Sequence, residues 1–159
     1  HAGTDCQLAI ETSGHAALQE NYFLDDGAYL AAKIVIRAAR LKQEGKPISS
    51  VLADLEDPAD EKEVRIPIRT ENFGAYGDQV LSELKDWVKT QDGMTLTEPN
   101  YEGVRIDFGD GWCLLRKSLH DPILPMNMAS DEAGGCRAIE KVMKGFLNQY
   151  EKLELEGVL

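Results

Sequence analysis

Between Asp26 and Gly45, the residues Leu30, Ile34, Ala38 and Leu41 recur at steps of three and four, the spacing that gathers apolar side chains on one face of an α-helix. Asp26 stands where a side chain can cap the first turn, and Gly45 followed by Pro47 closes the last. A shorter helix is expected from Ser50 to Leu55. The run Glu-Asp-Pro-Ala-Asp-Glu-Lys-Glu that follows is acidic, interrupted by Pro58 and without periodicity. Residues 56–62 are therefore read as an acidic linker, dividing a segment 1–55 from a domain 63–159.

Past that point the period changes. Val64, Ile66 and Ile68 alternate with Arg65, Pro67 and Arg69 as in a half-buried strand, and Pro67, which has no N–H, suggests an edge position. Val80, Leu81, Leu84, Trp87 and Val88 return to helical spacing, with Asp92-Gly93 as the stop signal. Val104, Ile106 and Phe108 alternate up to Asp110-Gly111, a hairpin turn signal, and a return strand is expected from Trp112 to Leu119. A strand from Ile123 to Met128 precedes a helix with the stripe Cys136, Ile139, Val142, Met143, Phe146, Leu147 and Tyr150. Strand, helix, several strands joined by tight turns, helix: this order predicts an α+β domain, an antiparallel sheet of four or five strands with helices packed on one face.

Composition narrows the function classes. The chain has 159 residues, enough for one domain or one domain and part of another, and 43% hydrophobic with 28% charged residues is ordinary globular usage. Lys and Arg total 17 against 28 Asp and Glu, a net charge of -11 that repels polyanions. Nucleic-acid binding is disfavoured on that ground and because no aromatic and basic sheet face is legible. A small anion is still compatible, since a few arginines act locally while salt screens the remaining field beyond about 8 Å. Cys6, Cys113 and Cys136 are odd in number and widely spaced, which fits a reducing, cytoplasmic setting better than a disulfide framework. No apolar run approaches the roughly 20 residues that span a bilayer, so no membrane partner is expected. The opening His-Ala-Gly-Thr-Asp-Cys-Gln reads as the middle of a domain, and the chain is expected to be a piece of a longer protein.

Two clusters carry candidate chemistry. Glu11, Ser13 and His15 surround Gly14 after the apolar Leu8 to Ile10, and offer a carboxylate, a hydroxyl and an imidazole suited to sugar hydroxyls or to proton movement near neutral pH. On spacing alone the same run reads as a solvated turn. The second cluster is Arg116-Lys117-Ser118-Leu119-His120-Asp121-Pro122. On a strand Arg116 and Ser118 share a face, and a guanidinium fork, a hydroxyl and loop amides suit a phosphate. An exposed strand end with snorkelling basic chains is the plainer alternative. His120-Asp121 is read as a turn fixed before Pro122 and not as a catalytic dyad, because sequence neighbours do not face each other. The three histidines lack the short spacings of a metal site, so no metal is expected in this chain. Asp131 and Glu132 beside Gly134-Gly135 read as helix capping.

Both clusters match one family. Glu-Thr-Ser-Gly-His, followed by Asp26-Gly27 at a helix start, resembles the Gly-Glu-x-Ser-Gly-His sugar loop of the α-D-phosphohexomutases, the phosphomannomutase and phosphoglucomutase family. Arg116, Ser118 and Pro122 fall on that family's Arg-x-Ser-Asn-Thr-x-Pro phosphate loop, in the same order. Ile10 replaces the first glycine, and Leu119 and His120 replace the Asn-Thr pair, leaving either His120 or the loop amides to supply the missing donor. The resemblance implies the end of the family's third domain (1–55) and its TATA-box-binding-protein-like fourth domain (63–159). It implies an isomerase that moves a phosphoryl group between hexose 1-phosphate and hexose 6-phosphate through a hexose 1,6-bisphosphate, with Mg2+ and a phosphoserine carried by N-terminal domains of the same polypeptide. Glu11 and Ser13 would hold sugar hydroxyls, with His15 near the reacting centre as an accessory group. Arg116, Ser118 and His120 would hold the unreacting phosphate, and the chain alone would be inactive. A stand-alone, non-enzymatic binding or protein-interaction module is the alternative.

Overall fold

The structure is a computed structural model that describes residues 5–10, 14–98 and 100–159. It forms two compact units, His1–Glu56 and Asp57–Leu159.

In the first unit, strand β1 (Leu8–Ile10) pairs antiparallel with β2 (Ala16–Leu18), and a 3-10 turn at Gln19–Asn21 leads to helix α1 (Gly27–Gln43). Asp26 caps α1 as its sequence position suggests, Oδ1 accepting from the Tyr29 amide at 3.0 Å. The expected helix at Ser50 to Leu55 is instead a 3-10 turn at Ile48–Leu52. Its first residue follows Pro47, and five residues are too few to establish the α-helical ladder. Along α1 only Leu41 is buried; Ile34, Val35 and Ile36 are 51%, 66% and 51% exposed.

The second unit is a five-stranded antiparallel sheet in the order β3-β7-β6-β5-β4, with β3 at Asp60–Pro67, β4 at Thr95–Leu96, β5 at Val104–Asp107, β6 at Gly111–Leu115 and β7 at Ile123–Ser130. Helices α2 (Phe73–Val88) and α3 (Gly135–Leu147) lie on one face. Strand alternation sends Val64, Ile66, Val104, Ile106, Cys113, Leu115, Leu124, Met126 and Met128 to that face, where they meet Val80, Leu84 and Val88 of α2 and Ile139, Met143 and Phe146 of α3. Burial of such side chains, worth roughly 1.5 to 3 kcal/mol each, is the main stabilising term. It holds both thiols of Cys113 and Cys136 above their ordinary pKa, so both stay protonated.

Several boundaries differ from expectation. The acidic linker is shorter than residues 56–62, because Asp60, Glu61 and Lys62 already pair with Ser130, Ala129 and Met128. Asp60 also acts beyond its own strand. Its Oδ2 accepts from the Cys136 amide at 3.0 Å, so the start of α3 is capped from β3 and not by Asp131 or Glu132. Helix α2 stops at Val88, ahead of Asp92-Gly93. Pro67 does sit on the edge strand. Even-numbered β3 residues bond toward β7, as in the Ile68 amide to Pro122 carbonyl bond of 2.7 Å, so the ring of Pro67 faces outward. The chain's last segment covers that edge, through bonds from the Glu154 amide to Pro67 (3.0 Å) and from the Arg69 amide to Lys152 (2.7 Å).

Strand β6 ends at Leu115, four residues short of the expected Leu119, and the cause lies on its neighbour. The register continues, with Arg116 N–H donating to Pro125 at 3.0 Å and Ser118 N–H to Ile123 at 3.2 Å. Neither bond is returned. Pro125 has no N–H for the Arg116 carbonyl, and the Ile123 N–H donates to Asp121 at 2.8 Å. The ladder becomes one-sided at the residue where the loop begins.

Replacing Pro125 with valine restores the missing donor and is expected to raise stability by about 0.5 to 1.5 kcal/mol in urea unfolding, with the amides from Arg116 to Asp121 gaining exchange protection. Tyr150 donates to Glu83 at 2.6 Å, and this bond holds the Glu83 carboxyl below its ordinary pKa. A depressed carboxylate stabilises the fold above its unfolded pKa and loses that contribution as pH falls through the folded one. Tyr150→Phe should therefore lower Tm at pH 7 and flatten its decline between about pH 5 and 3, as followed by circular dichroism.

Candidate functional site

Arg116 and Ser118 occupy alternate positions on the one-sided extension of β6, so both belong to the face away from the helices. Arg116 is half-buried, and its backbone is pressed from the β5 side. A Cβ at Gly103 would lie 2.4 Å from the Leu115 carbonyl oxygen and 2.9 Å from Arg116 Cα and Cβ, and Gly103 has φ +135°. Only glycine permits this approach. On the other side Lys117 points toward α2, ion-paired with Asp78 at 2.5 Å.

The turn after Arg116 is built around Ser118. Its Oγ accepts from the amides of His120 (3.4 Å) and Asp121 (3.2 Å), a local serine turn that holds the loop before Pro122. Two of the loop amides expected to face an anion are thus engaged with Oγ. The Ser118 hydroxyl proton is still available, because accepting uses only its lone pairs. Leu119, 84% exposed, and His120 stand out at the tip.

The outer face corrects one expectation from sequence. Arg65, Arg105 and Arg116 all lie on it, and Arg105 stacks over the Trp112 ring at 4.1 Å, so the sheet does carry basic and aromatic groups. They are too far apart in sequence to be seen as a cluster, and strand pairing alone joins them. Glu61, Glu63 and Asp107 share the face, which keeps it from being uniformly positive.

In the first unit, His15 Nδ1 meets Asp25 Oδ2 at 2.7 Å, which orients the ring and leaves Nε2 for a ligand. Sequence reasoning missed Asp25. The signal is its place beside the capping Asp26, behind Tyr22 and Phe23, two successive non-glycine residues with φ 55°. Such left-handed backbone costs of order 1 kcal/mol or more per residue and turns the chain sharply enough to bring Asp25 back to His15. Glu11 and Ser13 lie outside the described residues. Among the described residues no three His, Cys, Asp or Glu side chains gather as metal ligands, and no helix is long and apolar enough to cross a membrane.

No family model matches the chain. It is similar to a phosphoglucomutase of Neisseria gonorrhoeae, 30% identical over 151 residues that make up 94% of this chain and 31% of that protein. It is also similar to a phosphomannomutase/phosphoglucomutase of Pseudomonas putida, 28% identical over 150 residues, 93% of this chain and 30% of that one. The chain thus spans about 30% of the length of the curated relatives it matches, in their C-terminal region. A solved structure of a phosphoglucomutase/phosphomannomutase family protein from Burkholderia thailandensis superposes with TM-score 0.67 at 22% identity, over 92% of this chain and 29% of that one. The fold is shared.

Ser118→Ala removes the acceptor for two loop amides and is expected to speed hydrogen exchange at His120 and Asp121 at least tenfold, with a stability loss of about 0.5 to 1.5 kcal/mol. Unchanged exchange at both amides, read by NMR, would contradict this account of the turn.

Proposed function

We propose that the chain is the C-terminal portion of a phosphohexomutase, an intramolecular phosphotransferase that interconverts hexose 1-phosphate and hexose 6-phosphate in its complete form. In this reading 1–55 is the end of the third domain with the sugar loop, and the unit from about Glu63 onward is the fourth, phosphate-holding domain. The observation that carries it is the placement of Arg116 and Ser118 on one face where the β6–β7 ladder opens, within a segment whose order matches the family's phosphate loop.

The chemistry assigned to these residues is recognition. Arg116 presents a planar fork that can give two parallel bonds to phosphate oxygens, each charge-assisted bond contributing roughly 1.5 to 3 kcal/mol. The Ser118 hydroxyl donates a further bond while its lone pairs keep the turn closed. With Asn-Thr replaced by Leu119 and His120, the exposed His120 is the side chain at hand to supply another donor. Glu11 and Ser13 are assigned to sugar hydroxyls, and His15, steadied by Asp25, to the neighbourhood of the reacting centre. Hexose phosphates and the hexose 1,6-bisphosphate are the ligands.

The nucleophile and the magnesium chemistry belong to N-terminal domains of the same cytoplasmic polypeptide. The described residues offer no fitting set of metal ligands, and no step here runs through one. Those domains are also the natural cover for α1, whose exposed Ile34 and Ile36 line an apolar groove with Tyr29, Ile48 and Val51.

The complete polypeptide should convert glucose 1-phosphate, mannose 1-phosphate or glucosamine 1-phosphate, tested in parallel, and the 159-residue chain alone should convert none. Turnover by the pure chain would refute this assignment. Arg116→Ala in the complete enzyme should cost roughly 2 to 5 kcal/mol in kcat/KM, with lysine restoring only part. A folded alanine variant within about threefold of the parent, less than about 0.7 kcal/mol, would place the phosphate elsewhere.

A further inference from the structure

Arg116 has neighbours that the sequence does not place beside it. Across β7, Pro125 is the Cα partner of Arg65 on β3, and on its other side its carbonyl accepts the Arg116 N–H at 3.0 Å. Arg65 and Arg116 therefore stand in one row of the outer face, two strand spacings or roughly 10 Å apart at Cα, within reach of two long side chains. Glu63 occupies the adjacent row, opposite Asn127. Both of its carboxylate oxygens are held: Oε1 accepts from Arg65 Nε at 2.8 Å and Oε2 from Asn127 Nδ2 at 3.1 Å. The carboxylate is thereby pinned to the face that carries Arg116.

We propose that Glu63 is a built-in counter-anion of the Arg116 site, a fixed negative charge that holds down the affinity of this face for phosphate. The inference rests on the reading of Arg116 as the phosphate anchor and adds a residue that sets how tightly the anion is held. Its ionised state is secured by the bonds from Arg65 and Asn127, with the charges of Arg65 and Arg116 adding to them, all of which lower its pKa. A phosphate arriving at Arg116 gains a guanidinium and meets a carboxylate that cannot turn away. An unopposed pair of arginines would bind more tightly and release more slowly, whereas a mutase that binds and releases phosphorylated sugars needs both steps. Glutamine at position 63 separates this role from a purely structural one. Its side-chain oxygen can still accept a hydrogen bond while its charge is gone.

The test titrates inorganic phosphate into the 159-residue chain at fixed low ionic strength, read by amide chemical shifts. Glu63→Gln should bind about fivefold more tightly than the parent, Glu63→Asp within about twofold of it, and the gain for glutamine should shrink at 0.5 M salt, where screening lengths fall to a few ångströms. Circular dichroism and Tm verify that each variant is folded. If Arg116→Ala abolishes binding but Glu63→Gln binds no better than the parent, Arg116 stands as the anchor and the role of Glu63 is refuted. If Arg116→Ala leaves binding unchanged, the anchor is wrong and this inference falls with it.

Discussion

The second unit depends on β7 being paired on both sides. Its even-numbered residues Leu124, Met126 and Met128 form the middle of the core, and its register with β3 and β6 decides which side chains meet both helices. Because the side-chain period of a strand is two, a slip by one residue would turn Met126 and Met128 out to solvent and bring Asn127 into the core. The same register aligns Arg65 and Arg116 on either side of Pro125. Core and outer face are thus set by one constraint, and the candidate phosphate segment inherits its geometry from the packing on the opposite side of the sheet.

Much of this architecture is legible in local pattern. The alternation of Val64 and Ile66, the Asp110-Gly111 turn and the helical stripe from Cys136 to Leu147 each state their own secondary structure. Pro67 announced an edge because a residue without an N–H is tolerated where no partner follows. What local pattern lacks is any record of what lies across a strand. The end of β6 depends on Pro125, fourteen residues from the turn at Gly111. The cap of α3 comes from Asp60, and the surroundings of Arg116 from Glu63, Arg65 and Gly103. The candidate site follows the same division: Arg116, Ser118 and His15 could be named from the chain, whereas Asp25 required the left-handed backbone at Tyr22 and Phe23 to be known.

The two units differ in how far they satisfy themselves. The Asp57–Leu159 unit closes a core between its sheet and two helices and covers part of its edge with its own last residues. Helix α1, by contrast, has a capped start and an aligned apolar stripe yet buries one side chain fully. Helical propensity and capping supply a few kcal/mol at most and do not substitute for a packed face. Its half-exposed isoleucines contribute little burial within their own unit.

The one-sided ladder beyond Leu115 bears on how such a site can diversify. Where both partners exchange bonds, a change of length or composition in the connecting loop strains the pairing on either side of it. Here the return bonds are already missing at Arg116 and Ser118, so little of the sheet depends on what the tip at Leu119 and His120 contains. Substitutions there can accumulate while the strands beneath keep their register. A loop insulated in this way can change its composition within a fold that does not have to be rebuilt.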